Sequence, residues 1–286
     1  MMIGGQSYQA GAGQGRPWTF YALAILFGAY LLFLYGPMLV MYVLSFQGPN
    51  GGVTFPMVGV SLAWFADIVK PGQMANIPVS FARSIALASA VSLLTAAISI
   101  AAALAFRRRF PGSGLLFYLA VASLVMPSLL VGFGIGLGFK VLGLKPSLFT
   151  SALGAQLTWT LPFGVFAMFA VVNRFNRSYE EAADDLGASP WQRFTHVTLP
   201  ILLPGIIGVA MGAFTLSYDE YARTTLVIGT RNTLPLEIYA LISSATSPTL
   251  FAIGTVTTAV SFMIIGLTLW AIYRIQRRRA ASAPSL

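Results

Sequence analysis

The chain has 286 residues, 57% of them hydrophobic and 9% charged, with a mean hydropathy of +0.78. Soluble domains carry about 25% charged residues, so an ordinary water-soluble enzyme or receptor is excluded and an integral membrane protein is indicated. Cysteine is absent, which removes disulfides, thiolate metal sites and thiol catalysis, while topology and headgroup contact account for the net charge of +9 without a nucleic-acid partner.

Cutting the sequence at every Lys, Arg, Asp and Glu leaves six uncharged intervals long enough to cross a bilayer: 17–66, 84–106, 110–139, 146–173, 194–218 and 238–273. A hydrocarbon core of about 30 Å takes about 20 helical residues, so each interval holds one span. The long continuous runs lack the dyad alternation of barrel strands. The expected fold is therefore an all-α integral membrane protein of six transmembrane helices. Its parts are an N-terminal tail at 1–17, the six-helix domain at 18–273 and a C-terminal tail at 274–286.

The Gly/Gln-rich leader, Met1 to Gly15, is expected to be a disordered tail. The first helix is expected over Thr19 to Phe46, kinked at Pro37, and is too long for a cleaved signal peptide. A Gly/Pro-rich segment, Gly48 to Pro56, precedes an interfacial helix over Ser61 to Lys70, whose Leu62, Phe65, Ile68 and Val69 share one face beneath a Ser61 cap. The second span, Ser84 to Phe106, ends on Arg107 to Arg109. The third is read as one helix over Gly114 to Leu137. Its Gly132, Gly134, Gly136 and Gly138 follow no strand and precede no G-K-S/T, so close helix packing is the better reading than a nucleotide loop. The fourth, Leu148 to Val172, contains Trp159 and Pro162, and the fifth covers Leu202 to Ser217. An external stretch carries Asp219, Glu220, Arg223, Arg231 and Glu237, and the sixth helix runs from Leu250 to Tyr273. Placing both termini in the cytoplasm puts eleven of the 17 Lys and Arg residues inside, as the positive-inside rule requires.

The polar loop between spans four and five, residues 174–200, carries the most information. Ser178 and Glu181 read as a capping box, Gly187 as a helix stop, and Ser189-Pro190 as the start of a second short helix. Pro200 is expected to stop or bend that helix before the fifth span. The result is a compact knob with exposed aromatics and charge, a shape suited to a groove on a partner protein. His196, the single histidine, has no second ligand nearby and reads as a surface residue.

Glu181-Ala182-Ala183, three residues, Gly187, nine residues and Val197-Thr198-Leu199-Pro200 together resemble the EAA loop of ABC importer permeases, with Val197 where isoleucine is usual. Ser217-Tyr218-Asp219-Glu220-Tyr221 and Thr233-Leu234-Pro235-Leu236-Glu237-Ile238-Tyr239 are similar to segments of spermidine/putrescine-type permeases. Pro248 to Thr255 matches less well, because Thr249, Leu250 and Phe251 replace polar and acidic residues. The resemblance implies a type I ABC importer permease fold and one membrane subunit of a binding-protein-dependent importer. It further implies a second permease subunit, a paralogue rather than a second copy, two cytoplasmic ATPase subunits that bind ATP and Mg, and an extracytoplasmic solute-binding protein. No cofactor is expected in this chain, which lacks G-x-x-x-x-G-K-S/T. Glu181, Ala182, Ala183, Gly187, Ser189, Leu199 and Pro200 would form the ATPase-coupling surface, working by alternating access in the inner membrane.

A polyamine crossing a low-dielectric pore needs carboxylates and aromatic faces. Asp219 and Glu220, flanked by Tyr218 and Tyr221, offer both, with Trp159 as a further pathway candidate; the plainer reading is a surface acid pair neutralised by Arg223. Two rival functions remain. An ion-gradient-driven transporter or channel would place ionisable groups inside its spans, whereas all eight acids fall at span ends or in loops. An intramembrane enzyme would need a partner for His196, and no metal-ligand or paired-aspartate motif appears.

Overall fold

A computed structural model describes residues 17–70, 77–244 and 247–281, and every regular element in them is helical. Helix α1 (Trp18–Leu44) leads through a short cap to α2 (Ala63–Val69), followed by α3 (Ile77–Ala105). Then come α4 (Ser113–Val125), α5 (Ser128–Val141), and α6 (Leu153–Asn173), the last entered through a π-helical turn at Leu148–Ala152. The polar loop contains α7 (Ser178–Asp185) and α8 (Pro190–Arg193), and a π turn at Phe194–Thr198 joins α8 to α9 (Leu199–Tyr218). Finally, α10 (Leu234–Ser244) precedes α11 (Pro248–Ala281).

Five of these stretches are long and apolar enough to cross a membrane, and α4 with α5 makes a sixth if the pair counts as one span. Helices α3, α6 and α9 pack on one another. At one end Ala103, Met168, Val172, Leu202 and Val209 form their core, and at the other Ile77, Ala88, Tyr218, Leu234 and Ile253 do so with α10 and α11. Helix α1 runs against α11 and leaves nearly all of its surface uncovered. Pro37 lies inside a continuous α1.

Four expectations are corrected. The third span is not a single helix: α4 and α5 meet at 109°. Pro127 supplies no amide to continue the ladder and forces the preceding Met126 to an extended ψ of 131°, so the helix stops there and restarts at Ser128. The stretch after Asp219 is not a solvated loop, because Arg223, Thr224, Val227 and Ile228 are each at most 3% exposed. It packs on α5, and an unforeseen helix, α10, follows it with Pro235 in its first turn. Pro200 neither stops nor breaks the chain, since the π turn delivers it to the start of α9, where an amide is dispensable. The sixth helix also runs on past Tyr273 through its arginines to Ala281. The proposed leader at 1–15 and the last five residues lie outside the described residues.

Candidate coupling loop and acidic pocket

The loop forms at the end of the bundle where α3 and α6 finish. Helix α7 does not begin with the expected Ser178–Glu181 capping box. Its N-cap residue is Arg177, which makes no side-chain cap bond; just before it Asn176 Oδ1 accepts from the Ser178 amide at 3.0 Å, and Glu181 is exposed. Gly187 ends α7 with φ of +78°, its amide bonding to Asp184 O at 2.9 Å while that of Ala188 reaches Ala183 O at 3.0 Å. Those two bonds make a Schellman motif, which a left-handed glycine closes without a Cβ penalty. Ser189 and Gln192 then form a reciprocal capping box with Pro190 at the first helical position, as expected of Ser189.

The finished knob presents Glu181, Ala182 and Gly187 to the outside together with Tyr179, Leu186 and Trp191, of which Leu186 is 89% exposed. Arg193 pairs with Asp184, stapling α8 to α7. Ala183, Leu199 and Pro200 are partly covered where the knob meets the bundle. Glu180, in the first turn of α7, bonds to residues outside that helix. Arg107 grips both its oxygens at 2.9 and 2.8 Å, and Thr198 Oγ1 donates to Oε1 at 2.8 Å. Burial alone would raise its pKa, but the hydrogen bonds from Arg107 and Thr198 and the charges of Arg107 and Arg193 outweigh it and hold the carboxyl below 4.5. His196 is exposed, its ring bonded to the local helix at Gln192 O. Among the described residues no group of His, Cys, Asp and Glu could hold a metal ion.

At the opposite end the five pathway candidates separate into two groups. Tyr218, Asp219 and Tyr221 line a cavity of about 310 Å³ with Leu234, Pro235, Ile238 and Tyr239. The Tyr221 and Tyr239 rings stand 4.7 Å apart, so α10 contributes a third tyrosine that the sequence reading missed. It lies in the T-L-P-L-E-I-Y segment, and its side-chain direction depends on helix α10, which no uncharged span-length run marks as a helix of its own. Glu220 and Trp159 face elsewhere. Glu220 is 8% exposed and accepts from the Arg223 amide at 2.7 Å, with its carboxylate 3.7 Å from that guanidinium. Arg223 also lies 5.1 Å from the Trp159 ring and donates to Ser128 Oγ at 2.8 Å. Arg223 therefore neutralises Glu220 in the interior, not Asp219 at the surface.

A polar seam continues beneath this pair. Gln156 donates to Thr224 Oγ1 at 2.8 Å and accepts from Ser217, and Thr95 donates to Thr160 at 3.0 Å. Such bonds tie α6 to α3, α9 and the buried segment where the bilayer offers no competing water.

The family model of the binding-protein-dependent transport system inner membrane component matches residues 95–282, a stretch that holds the coupling loop and the acidic pocket together. The chain belongs to this family. It is thus a multi-pass inner-membrane permease of an ABC importer and a membrane component, not an enzyme. This permease is 28% identical to the putrescine transport system permease protein PotI of Escherichia coli K12 over 263 residues, covering 89% of this chain and 90% of that one. It is also 28% identical over 238 residues to the spermidine/putrescine transport system permease protein PotC of the same organism, covering 82% and 87%. In fold it is similar to a chain of a bacterial ABC transporter involved in import of the acidic polysaccharide alginate. There the TM-score is 0.62 at 18% identity, with 91% of this chain and 96% of that chain covered. The expected ABC importer permease fold is borne out.

Proposed function

We propose that this permease is one of two paralogous membrane subunits of an importer for a polyamine or a related small cationic solute. Two cytoplasmic ATPase subunits bind ATP and Mg and dock on the loop at Glu181, Ala182, Ala183, Gly187 and Ser189. An extracytoplasmic binding protein delivers the solute to the opposite end. In this orientation the arginine-rich end with Arg107, Arg174, Arg177, Arg193 and Arg274, and both termini, face the cytoplasm. The membrane domain extends from residue 18 through the sixth span.

The observation that carries the solute class is the pocket formed by one carboxylate, Asp219, among Tyr218, Tyr221 and Tyr239. An ammonium group leaving water loses hydration that a carboxylate and aromatic faces can offset, each face contributing about 0.5 to 2 kcal/mol. The remaining wall, Leu234, Ile238 and Ile242, suits the methylenes between charges. Likeness to the two named polyamine permeases points the same way. ATP closes the ATPase pair, the loop moves with it, and the solute passes between the two permeases by alternating access.

The test is uptake of labelled putrescine by the full complex in proteoliposomes. Asp219→Asn is expected to lower uptake about tenfold, because the solute's ammonium loses the carboxylate that offsets its lost hydration, while the ATPase subunits stay bound. Uptake at the wild-type rate by a fully assembled Asp219→Asn complex would remove Asp219 from the pathway.

A further inference from the structure

Glu180 precedes the E-A-A run and joins parts of the bundle that the chain itself does not connect. Its carboxylate is held in a bidentate grip by Arg107, just past the end of α3, and by the Thr198 hydroxyl at the entry to α9. The Arg107 guanidinium also sits 5.4 Å from the ring of Phe175, just past the end of α6. The two charged side chains are only 16% and 18% exposed, against 31% and 47% for the Arg193–Asp184 pair inside the loop. A planar fork-to-carboxylate pair shielded from water is stiffer and less screened than an exposed one.

The covalent chain ties the loop to α6 and α9 alone. Helix α3 packs along both, yet it meets the loop through side chains just past its end, with the bidentate Arg107–Glu180 pair between them. A push on the loop that moved α6 and α9 but not α3 would shear the core formed by Ala103, Met168, Val172, Leu202 and Val209. We propose that Glu180 is a positioning residue, and that its pair with Arg107 is the joint that makes α3 move with the loop when ATP is bound and hydrolysed. The proposal rests on reading the loop as the ATPase contact. Within that reading it assigns a separate duty to a residue facing away from the exposed Glu181, Leu186 and Trp191.

A joint differs from a mere fold staple in what its loss does. Losing a staple lowers the amount of intact complex, so hydrolysis and uptake fall together. Losing a joint leaves the ATPase docked and turning over while the membrane helices follow poorly.

The experiment uses the full complex in proteoliposomes and measures receptor-stimulated ATP hydrolysis beside putrescine uptake. The variants are Arg107→Glu, Glu180→Arg, and both together. Each single reversal is expected to retain the ATPase and its hydrolysis but to raise the ATP consumed per solute about tenfold, and the double reversal to return that ratio to within about twofold of wild type. Should a single reversal fail to accumulate, Glu180→Gln, which preserves shape and one hydrogen bond to Arg107, carries the same comparison with a smaller rise. An unchanged ratio, or a double reversal no better than the singles, overturns the joint. A wild-type chain that does not retain the ATPase overturns the docking reading instead.

Discussion

Replacing Gly132 by alanine tests how the glycine-rich α5 is used. A Cβ at Gly132 would stand 2.7 Å from the carbonyl oxygen of Arg223 and 3.3 Å from its Cα and carbonyl carbon. Ordinary contact starts at 3.4 Å, so the backbone would have to retreat by about 0.7 Å. Arg223 is poorly placed to do so, being bonded to Ser128, tied to Glu220 and packed on Trp159. Overpacking against backbone held in this way costs about 1 to 3 kcal/mol. At Gly134, two residues on, nothing lies within 4 Å, and alanine there gains up to about 1 kcal/mol of helix propensity. Thermal unfolding of the purified protein in detergent, followed by tryptophan fluorescence, compares them. Gly132→Ala is expected to lower the midpoint by roughly 2 to 10 °C and Gly134→Ala not to lower it at all. Equal shifts at the two positions would refute the packing of α5 on the 219–233 segment.

Gly187→Ala places a Cβ at φ +78°, costing about 1 to 2 kcal/mol, so the variant is expected to retain less ATPase through purification while Gly187→Asn retains most of it. Because the Glu180 carboxyl is held below 4.5, its contribution to stability is complete above that pH and is lost as pH falls through the lower folded value. The wild-type melting midpoint should therefore drop further than that of Glu180→Gln as the pH falls below the ordinary glutamate range, and parallel curves would contradict this.

The helical spans and the local form of the loop were legible in the residues because each depends on near-neighbour chemistry. A continuous apolar run long enough to cross lipid and without the dyad alternation of barrel strands must be a helix, which satisfies its polar groups within one segment. Gly187 and Ser189-Pro190 read correctly because a left-handed stop and an N-cap are made by the residue that carries them and the next turn. Hydropathy could not show the break between α4 and α5, as it averages Met126-Pro127 into a run of apolar residues, although the proline was visible.

Three features rest instead on groups far apart in the chain. Arg223 looks like a solvated loop cation until Glu220, Ser128 and Trp159 are brought around it; a charge can be buried only where the fold supplies its partners. Tyr239 joins the Asp219 pocket only because α10 turns back toward α9. Glu180 and Arg107 are separated by more than seventy residues, and nothing local to either distinguishes a joint from an ordinary surface charge. Local rules thus wrote the helices and the shape of the loop, while the pairing of charges and the sides of the pocket emerged from packing, because desolvation depends on which distant segments come to lie on top.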